Sequence, residues 1–506
     1  MSIFSKIKKI FDSKPVPGDI LLPNTPVNSA DISKAFGESE DFVIRDITLG
    51  GGERTVKLAF LDGVVSGIYV SDQIIRPITD PVRFGPVTSD KEALDLMLAG
   101  SVYGITAYRR EKSAEIIEDM LSGFCCAIFD ELGEGISFEM RSIEKRSIAE
   151  PKEEKVVKGA KDAFIEIVRS NTALVRRRIK NPALRIKEVT VGRKTATRVS
   201  IVWIDGFTNG EIVAELERRV RKITVDGVLT SSVIEENLSD RPRSIFPQVI
   251  TTERPDKFCM NLLEGRAGLL VDGLPIGYLV PGTFTQFFKV PEDSAHHIAV
   301  STILTTLRYL SLFVTLLLPA LYVAVSMFHQ EMLPTKLMQS IIDAKQSVPF
   351  PTALEVLAML IAFELLQEAG LRLPSPIGQT ISIIGALIVG QSAVDAKVVS
   401  PVVVIVVAFA GICGYTVPNQ DMAEALRVCR FLFVLAAIFA GMFGLAIASA
   451  LMLYVLCSME SLGVPYMTPF AGTVAKNIKY AFVRKPVVSG DSAECVLRTG
   501  ENDEED

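Results

Sequence analysis

Carboxylates set inside an apolar stretch constrain this chain more than any other feature. Residues 348–401 read VPFPTALEVLAMLIAFELLQEAGLRLPSPIGQTISIIGALIVGQSAVDAKVVSP. The run Val356–Phe363 is apolar enough for a membrane, yet Glu355 and Glu364 bracket it and Glu368 follows. The breaker RLPSPIG comes next, and then Gln379–Ala393, which is apolar but rich in small residues. A carboxylate at bilayer depth costs about 2.5–3.5 kcal/mol even on a lenient insertion scale. Such groups face protein or water rather than lipid, and small residues let backbones approach closely. The stretch reads as the lining of an assembly or a pore, not as a lipid-facing anchor.

Spacing sorts the side chains. Glu364 and Glu368 are four apart and share a helix face. Glu355 lies nine before Glu364, about 180° around a helix, and reads as solvated near the start of the segment. Arg372, four after Glu368, offers a plainer role in which the carboxylates pair within the fold. The sequence nominates Glu355, Glu364, Glu368, Gln379, Ile381, Ser382, Ile384, Leu387 and Gln391 as pore or gate residues. Rings of carboxylates favour cations, and apolar rings gate by dewetting. Gly385, Ala386 and Gly390 are nominated as points of close packing.

The rest of the chain frames this stretch. Mean hydropathy is +0.34, and the apolar excess sits almost entirely after residue 300. The formal net charge of −6 leaves no basic footprint for nucleic acid. Seven Cys without C-x-x-C spacing and three His imply no disulfide framework, no metal site and no cofactor. No G-x-S-x-G, Walker loop or His-based constellation is present, which argues against an enzyme.

In order, residues 1–27 read as a basic amphipathic helix and a Pro-rich tether, the helix suited to an anionic membrane surface. Residues 28–146 read as a first soluble subdomain. Its run FVIRDITLGGGERTVKLAFLDGVVSGIYV predicts a hairpin or meander, and helices and strands follow from residue 90 to 140. Residues 147–161 are a charged linker, and residues 162–295 a second subdomain of mixed helix and strand. Its LVDGLPIGYLV echoes LDGVVSGIYV at residues 61–70, an echo that an ancient duplication would leave but that two independent Asp-Gly hairpins explain more simply. Arg176-Arg177-Arg178 reads as a solvated helix end. The fold class is thus α+β or α/β in the N-terminal half, followed by an all-α polytopic membrane domain over residues 296–460.

That domain has five apolar segments. Leu310–Met327, interrupted by Pro319, is the first, and Phe431–Cys457 is the last, read as one tilted span. Residues 461–506 form a tail with Lys476, Lys479, Arg484 and Lys485, which places it in the cytoplasm. The N-terminal half carries no export signal and belongs on the same side, so the crossings must be even in number and one segment re-entrant.

Several strings carry a family resemblance: DFVIRDITLGG from residue 41, RSIAEPKEEKVVKGAKDAFIEIVRSNTALVRRRI from 146, SIFPQVITTERPDK from 244 and LLEGRAGLLVDGLP from 262. VPGTF, PED, LRYLSL, FHQEMLPT, VPFP and EAGLRLPSPIGQTISIIGALIVGQSAV continue it to residue 394. The chain resembles the A subunits of the GerA-type spore germinant receptors. The resemblance implies a multi-pass protein of the spore inner membrane, partnered by a transporter-like B subunit and a lipoprotein C subunit. It also implies a homo-oligomeric ring conducting monovalent cations when a nutrient germinant arrives. An accessory germination channel outside a receptor, a secondary transporter and a membrane scaffold are the alternatives.

Overall fold

The computed structural model describes residues 22–483 apart from 53, 86, 103–105, 142–150, 152–153, 155–158, 373–389 and 472–477. The N-terminal amphipathic helix, most of the linker and the acidic end therefore lie outside the described residues. Among the described residues, those up to 242 together with Val249–Pro281 form one compact unit; Arg243–Gln248 with those from 282 onward form another.

The first unit holds two five-stranded antiparallel sheets. In the first, α1 (Ser29–Phe36) precedes the hairpin β1 (Phe42–Thr48) and β2 (Thr55–Leu61). A helical excursion that includes α2 (Asp90–Leu96) leads to β3 (Ala107–Arg110), α3 (Ser113–Leu121), β4 (Phe124–Phe129) and β5 (Glu134–Glu139). All of β4 is buried. Because side chains alternate across a strand, Cys125 packs into one core layer and Cys126 into the other. The two adjacent thiols are thus small core residues, and burial pushes Cys126 up to about 12. The hairpin expected from the sequence is present, but GIYV at residues 67–70 is not its third strand. Those residues begin the helical excursion instead.

The second sheet repeats the first. Helix α4 (Val168–Arg178) precedes the pair β6 (Leu184–Val191) and β7 (Thr197–Ile204). Helices α5 (Gly210–Lys222) and α6 (Ser231–Leu238) lead to β8 (Ile250–Thr252), α7 (Pro255–Leu262), β9 (Ala267–Val271) and β10 (Gly277–Val280). Strand order is β1-β2-β4-β5-β3 in one sheet and β6-β7-β9-β10-β8 in the other, the same topology twice. A shared detail supports an internal repeat. Asp130, just after β4, accepts a hydrogen bond from the backbone N–H of Ser29, the first residue of α1. Asp272, just after β9, accepts one from the N–H of Val168, the first residue of α4. Each carboxylate caps the positive end of the equivalent helix. The Asp-Gly echo seen in the sequence is not part of this repeat, since Asp62 follows a second strand and Asp272 a fourth. The counterpart of Asp62 is Asp205, at the end of β7.

The second unit is mostly helical: α8 (Ile298–Phe328), α9 (Thr335–Lys345), α10 (Thr352–Arg372), α11 (Pro401–Gly414) and α12 (Gln420–Cys457). Two of these, α8 and α12, are long and apolar enough to cross a membrane; α11 is apolar but shorter. Pro319 does not interrupt α8, which runs through it for 31 residues, about 46 Å. The lost N–H costs little where neighbouring groups absorb it.

Helix α12 is not one straight rod. Ala440 and Gly441 leave helical geometry, and Gly441 has φ +58. A Cβ on Gly444 would run into the carbonyl oxygen of Ala436. On a straight helix residues eight apart are about 12 Å apart along the axis, so the chain bends sharply here. Only glycine fits both the positive φ and the close approach. The bend lies beside Phe328, the last residue of α8.

The chain enters and leaves the helical layer at one end. Gly282 N–H donates to Ser461 Oγ (3.1 Å) and Phe284 N–H to the carbonyl of Tyr466 (2.8 Å). Ser461 Oγ in turn donates to the carbonyl of Gln248. The first partner of each of these two pairs precedes α8; the second follows α12, in a small hairpin of β11 (Glu460–Ser461) and β12 (Val464–Pro465).

Candidate functional site

Glu364 lies on α10, within an apolar run. Its carboxylate accepts hydrogen bonds from Arg427 at 3.3 Å and Arg430 at 3.2 Å, both on α12. The Arg430 side chain is 3% exposed and that of Glu364 33% exposed. One negative charge thus faces two guanidinium groups, and the cluster is net positive. Neither partner is the one that sequence spacing offers. The partners lie 63 and 66 residues away, beyond any local pattern.

Glu355 differs from the sequence expectation. It is 1% exposed, not solvated. One carboxylate oxygen accepts from the N–H of Ser400 at 2.7 Å. Ser400 caps α11, so the charge sits at the positive end of that helix. The other oxygen has no hydrogen-bond partner among the described residues, with Lys345 Nζ 4.0 Å away. Lys345 also donates to Thr352 Oγ1 at the start of α10. The segment begins next to a packed neighbour, which the apolar composition alone did not reveal.

Glu368 is exposed, as are Leu365 and Ile361 on α10. Gln391 is exposed on the helical residues 390–395, where Gly390 is buried with Val404 Cγ1 3.2 Å from the position of a Cβ. Gln379, Ile381, Ser382, Ile384, Gly385, Ala386 and Leu387 lie outside the described residues.

At the other end of α8 stands a second group, which sequence reasoning missed. Arg308 donates to both carboxylate oxygens of Asp293 at 2.6 and 3.0 Å and to the carbonyl of Phe288. Each side chain of the pair is 14% exposed. The Tyr309 ring stacks on Phe288 at 5.0 Å and meets Phe482 at 4.9 Å. Phe470 joins both. The first turns of α8 are thereby fixed to the segment before it and to the segment after α12. PED and LRYLSL held this signal as an acid and a base, without a way to pair them.

In the first unit, Arg176 is fully buried rather than solvated. It donates two bonds to Asp41, both 2.9 Å, one to Ser39 Oγ and one to the carbonyl of Leu184. The neighbouring Arg178 pairs with Asp162. Segment 39–41 also bonds the edge strand β6, with Glu40 N–H donating to the carbonyl of Ile186 at 2.9 Å. Arg176 thus joins the two sheets. Among the described residues no cluster suited to a metal ion exists.

A family model described as Bacillus/Clostridium GerA spore germination protein matches residues 30–493. Spore germination protein KA of Bacillus subtilis (strain 168) is 34% identical over 503 residues, covering 96% of this chain and 92% of that protein. Uncharacterized membrane protein YfkQ of the same organism is 36% identical over 485 residues, covering 95% and 92%. The crystal structure of the N-terminal domain of the A subunit of the Bacillus megaterium spore germinant receptor GerK3 aligns with 26% identity and a TM-score of 0.40. It covers 52% of this chain and 97% of that one.

Proposed function

Since the chain belongs to the GerA family of spore germination proteins and acts in spore germination, we propose that it is the A subunit of a nutrient germinant receptor and lines a cation-conducting pore. Copies of the chain form a symmetric ring in the spore inner membrane, with a transporter-like B subunit and a lipoprotein C subunit as partners. The soluble unit and the tail face the cytoplasm.

One observation carries this reading. Glu368 is exposed on α10, one turn beyond Glu364 and beside exposed Leu365. A carboxylate there has no place against lipid. In a ring it repeats around an axis and forms a negative collar that concentrates cations. Glu364, facing two arginines, holds α10 to α12 and contributes little net negative charge to the path. The common end at which the chain enters and leaves the helical layer supports an even number of crossings, with both termini on one side.

The test is the purified full-length protein, imaged for rings and reconstituted into potassium-loaded vesicles with its receptor partners. Germinant-dependent potassium release that falls in Glu368→Gln, with rings intact, supports the pore. Monomers without flux, or unchanged release in Glu368→Gln, remove it. A second reading is an accessory germination channel outside a receptor. Release without receptor partners selects it.

A further inference from the structure

We propose that α9 (Thr335–Lys345) is an interfacial helix that lies on the lipid surface, at the end of the helical layer opposite the one where the chain enters and leaves. The first observation is its placement. It hangs between the last residue of α8, Phe328, and the first of α10, Thr352, by six residues on each side, 329–334 and 346–351. Six residues span at most about 20 Å, so α9 stays close to the ends of these two helices. Phe328 is at the opposite end of α8 from Arg308, the residue fixed to the segment before the helix.

The second observation is the mismatch between its apolar arc and what the protein covers. At about 100° per residue, Met338, Ile341, Ala344 and Lys345 share one side, and they are the half-buried residues of the helix. Lys345 reaches inward to Thr352 and towards Glu355. Leu337 and Ile342 flank this side on its two edges and are 49% and 47% exposed. Lys336, Gln339, Ser340 and Asp343 occupy the opposite side. No residue of α9 is fully buried. The apolar arc is therefore wider than the protein contact beneath it. Its uncovered edges continue into exposed Met327 and Phe328 at the end of α8 and Phe350 and Leu354 at the start of α10.

A lipid surface fits such a helix: the arc dips to the acyl boundary and the polar side meets water. Lys336 and Lys345 against Asp343 leave little net charge, so burial of the apolar edges, not attraction to anionic headgroups, holds it there. The lysine on the inner side ties the helix to the buried Glu355, and through it to the start of α11.

The inference rests on α8 and α10 being in a membrane but not on the pore. The chain has one Trp, Trp203, so Trp203→Phe gives a silent background for single indoles. In that background, full-length protein carrying Ile342→Trp or Gln339→Trp is reconstituted into phosphatidylcholine vesicles with brominated acyl chains. The Ile342→Trp indole is expected to be quenched at least about twofold more by the brominated lipid than the Gln339→Trp indole. Aqueous acrylamide is expected to give the reverse order. Equal acrylamide quenching of both, with no lipid quenching, places α9 in water and overturns the proposal. Shielding of the Ile342→Trp indole from both quenchers shows cover by protein, such as a second copy, and also overturns it. Leu337→Trp, on the other edge, gives the same reading if Ile342→Trp does not fold. Phe313→Trp, on the exposed side of α8, is the control: if the lipid fails to quench it, the membrane placement itself is wrong.

Discussion

Asp41 and Arg176, 135 residues apart, form a two-pronged ion pair with the guanidinium fully buried and the carboxylate 9% exposed. The pair is one of several polar links between the two sheets, beside Arg185 to the carbonyl of Ala35, Ile186 N–H to Ser39 Oγ and Glu188 N–H to the Glu40 carboxylate. Together they make the repeat a single body. Two linked small subdomains with a buried salt bridge gain specificity of docking, and removing one partner is costly because the other charge stays behind.

Asp41→Asn should therefore destabilise the first unit by about 3–5 kcal/mol. The measurement is chemical unfolding of the purified full-length protein, followed through Trp203. A change under about 1 kcal/mol would mean that water reaches the pair. Arg178, whose partner Asp162 is more exposed, should tolerate the corresponding change far better.

On α10 the two carboxylates should behave differently. Glu364→Gln leaves two guanidinium groups facing a neutral amide and should lower the stability of the helical unit by about 1.5–3 kcal/mol, read as reduced accumulation and lower melting temperature. Glu368→Gln removes a charge from an exposed position and should lower accumulation less than Glu364→Gln does while lowering cation flux. The same loss of accumulation in both would place both in the fold.

The bend in α12 makes a steric prediction. Gly444→Val places a branched side chain against the Ala436 carbonyl and should abolish accumulation. Gly441→Ala puts a Cβ 3.0 Å from the Phe328 ring at a positive φ and should cost about 1–2 kcal/mol. Comparing the protein level and melting temperature of both variants with Gly411→Ala, where a Cβ meets nothing, checks the assignment. Equal behaviour of all three would mean that α12 is straight.

Asp130 supplies a pH dependence. Burial works against its charge, but hydrogen bonds from Lys57 and Ser29 outweigh this and hold the carboxyl below its ordinary value. A depressed carboxyl stabilises the fold above the unfolded value of about 3.9, and that contribution fades as the pH falls through the lower folded value. Acid unfolding of the wild type should begin at a pH below 4. Asp130→Asn should lower stability at neutral pH and remove this part of the acid dependence, measured by melting temperature against pH.

What the sequence made legible was local. The hairpin at residues 42–61 and the strand Phe124–Phe129 follow from alternation and turn residues. The family follows from long unusual strings. What it hid was non-local or three-dimensional. Arg176 reads as a surface charge until Asp41 is brought to it, and Glu364 offers only Arg372 until α12 returns. Glu355 reads as solvated because nothing nearby in sequence predicts the N–H of Ser400. The bend at Gly441 did leave a trace, the pair of glycines in GMFG, but an uncharged run of that length reads first as one tilted helix. The same topology in both sheets was invisible because its markers, Asp130 and Asp272, sit in unlike turns.

The stitching of Gly282 to Ser461 and of Phe284 to Tyr466 has a practical corollary. It fastens the two ends of the helical unit to each other, so the loops at the other end are not what holds it together. A protease that cuts between Gln346 and Pro349 would leave two fragments still bound through this seam and through the packing of α8 against α12. The same logic makes this loop the natural place to divide the gene, so that the two pieces made separately reassemble into one working protein.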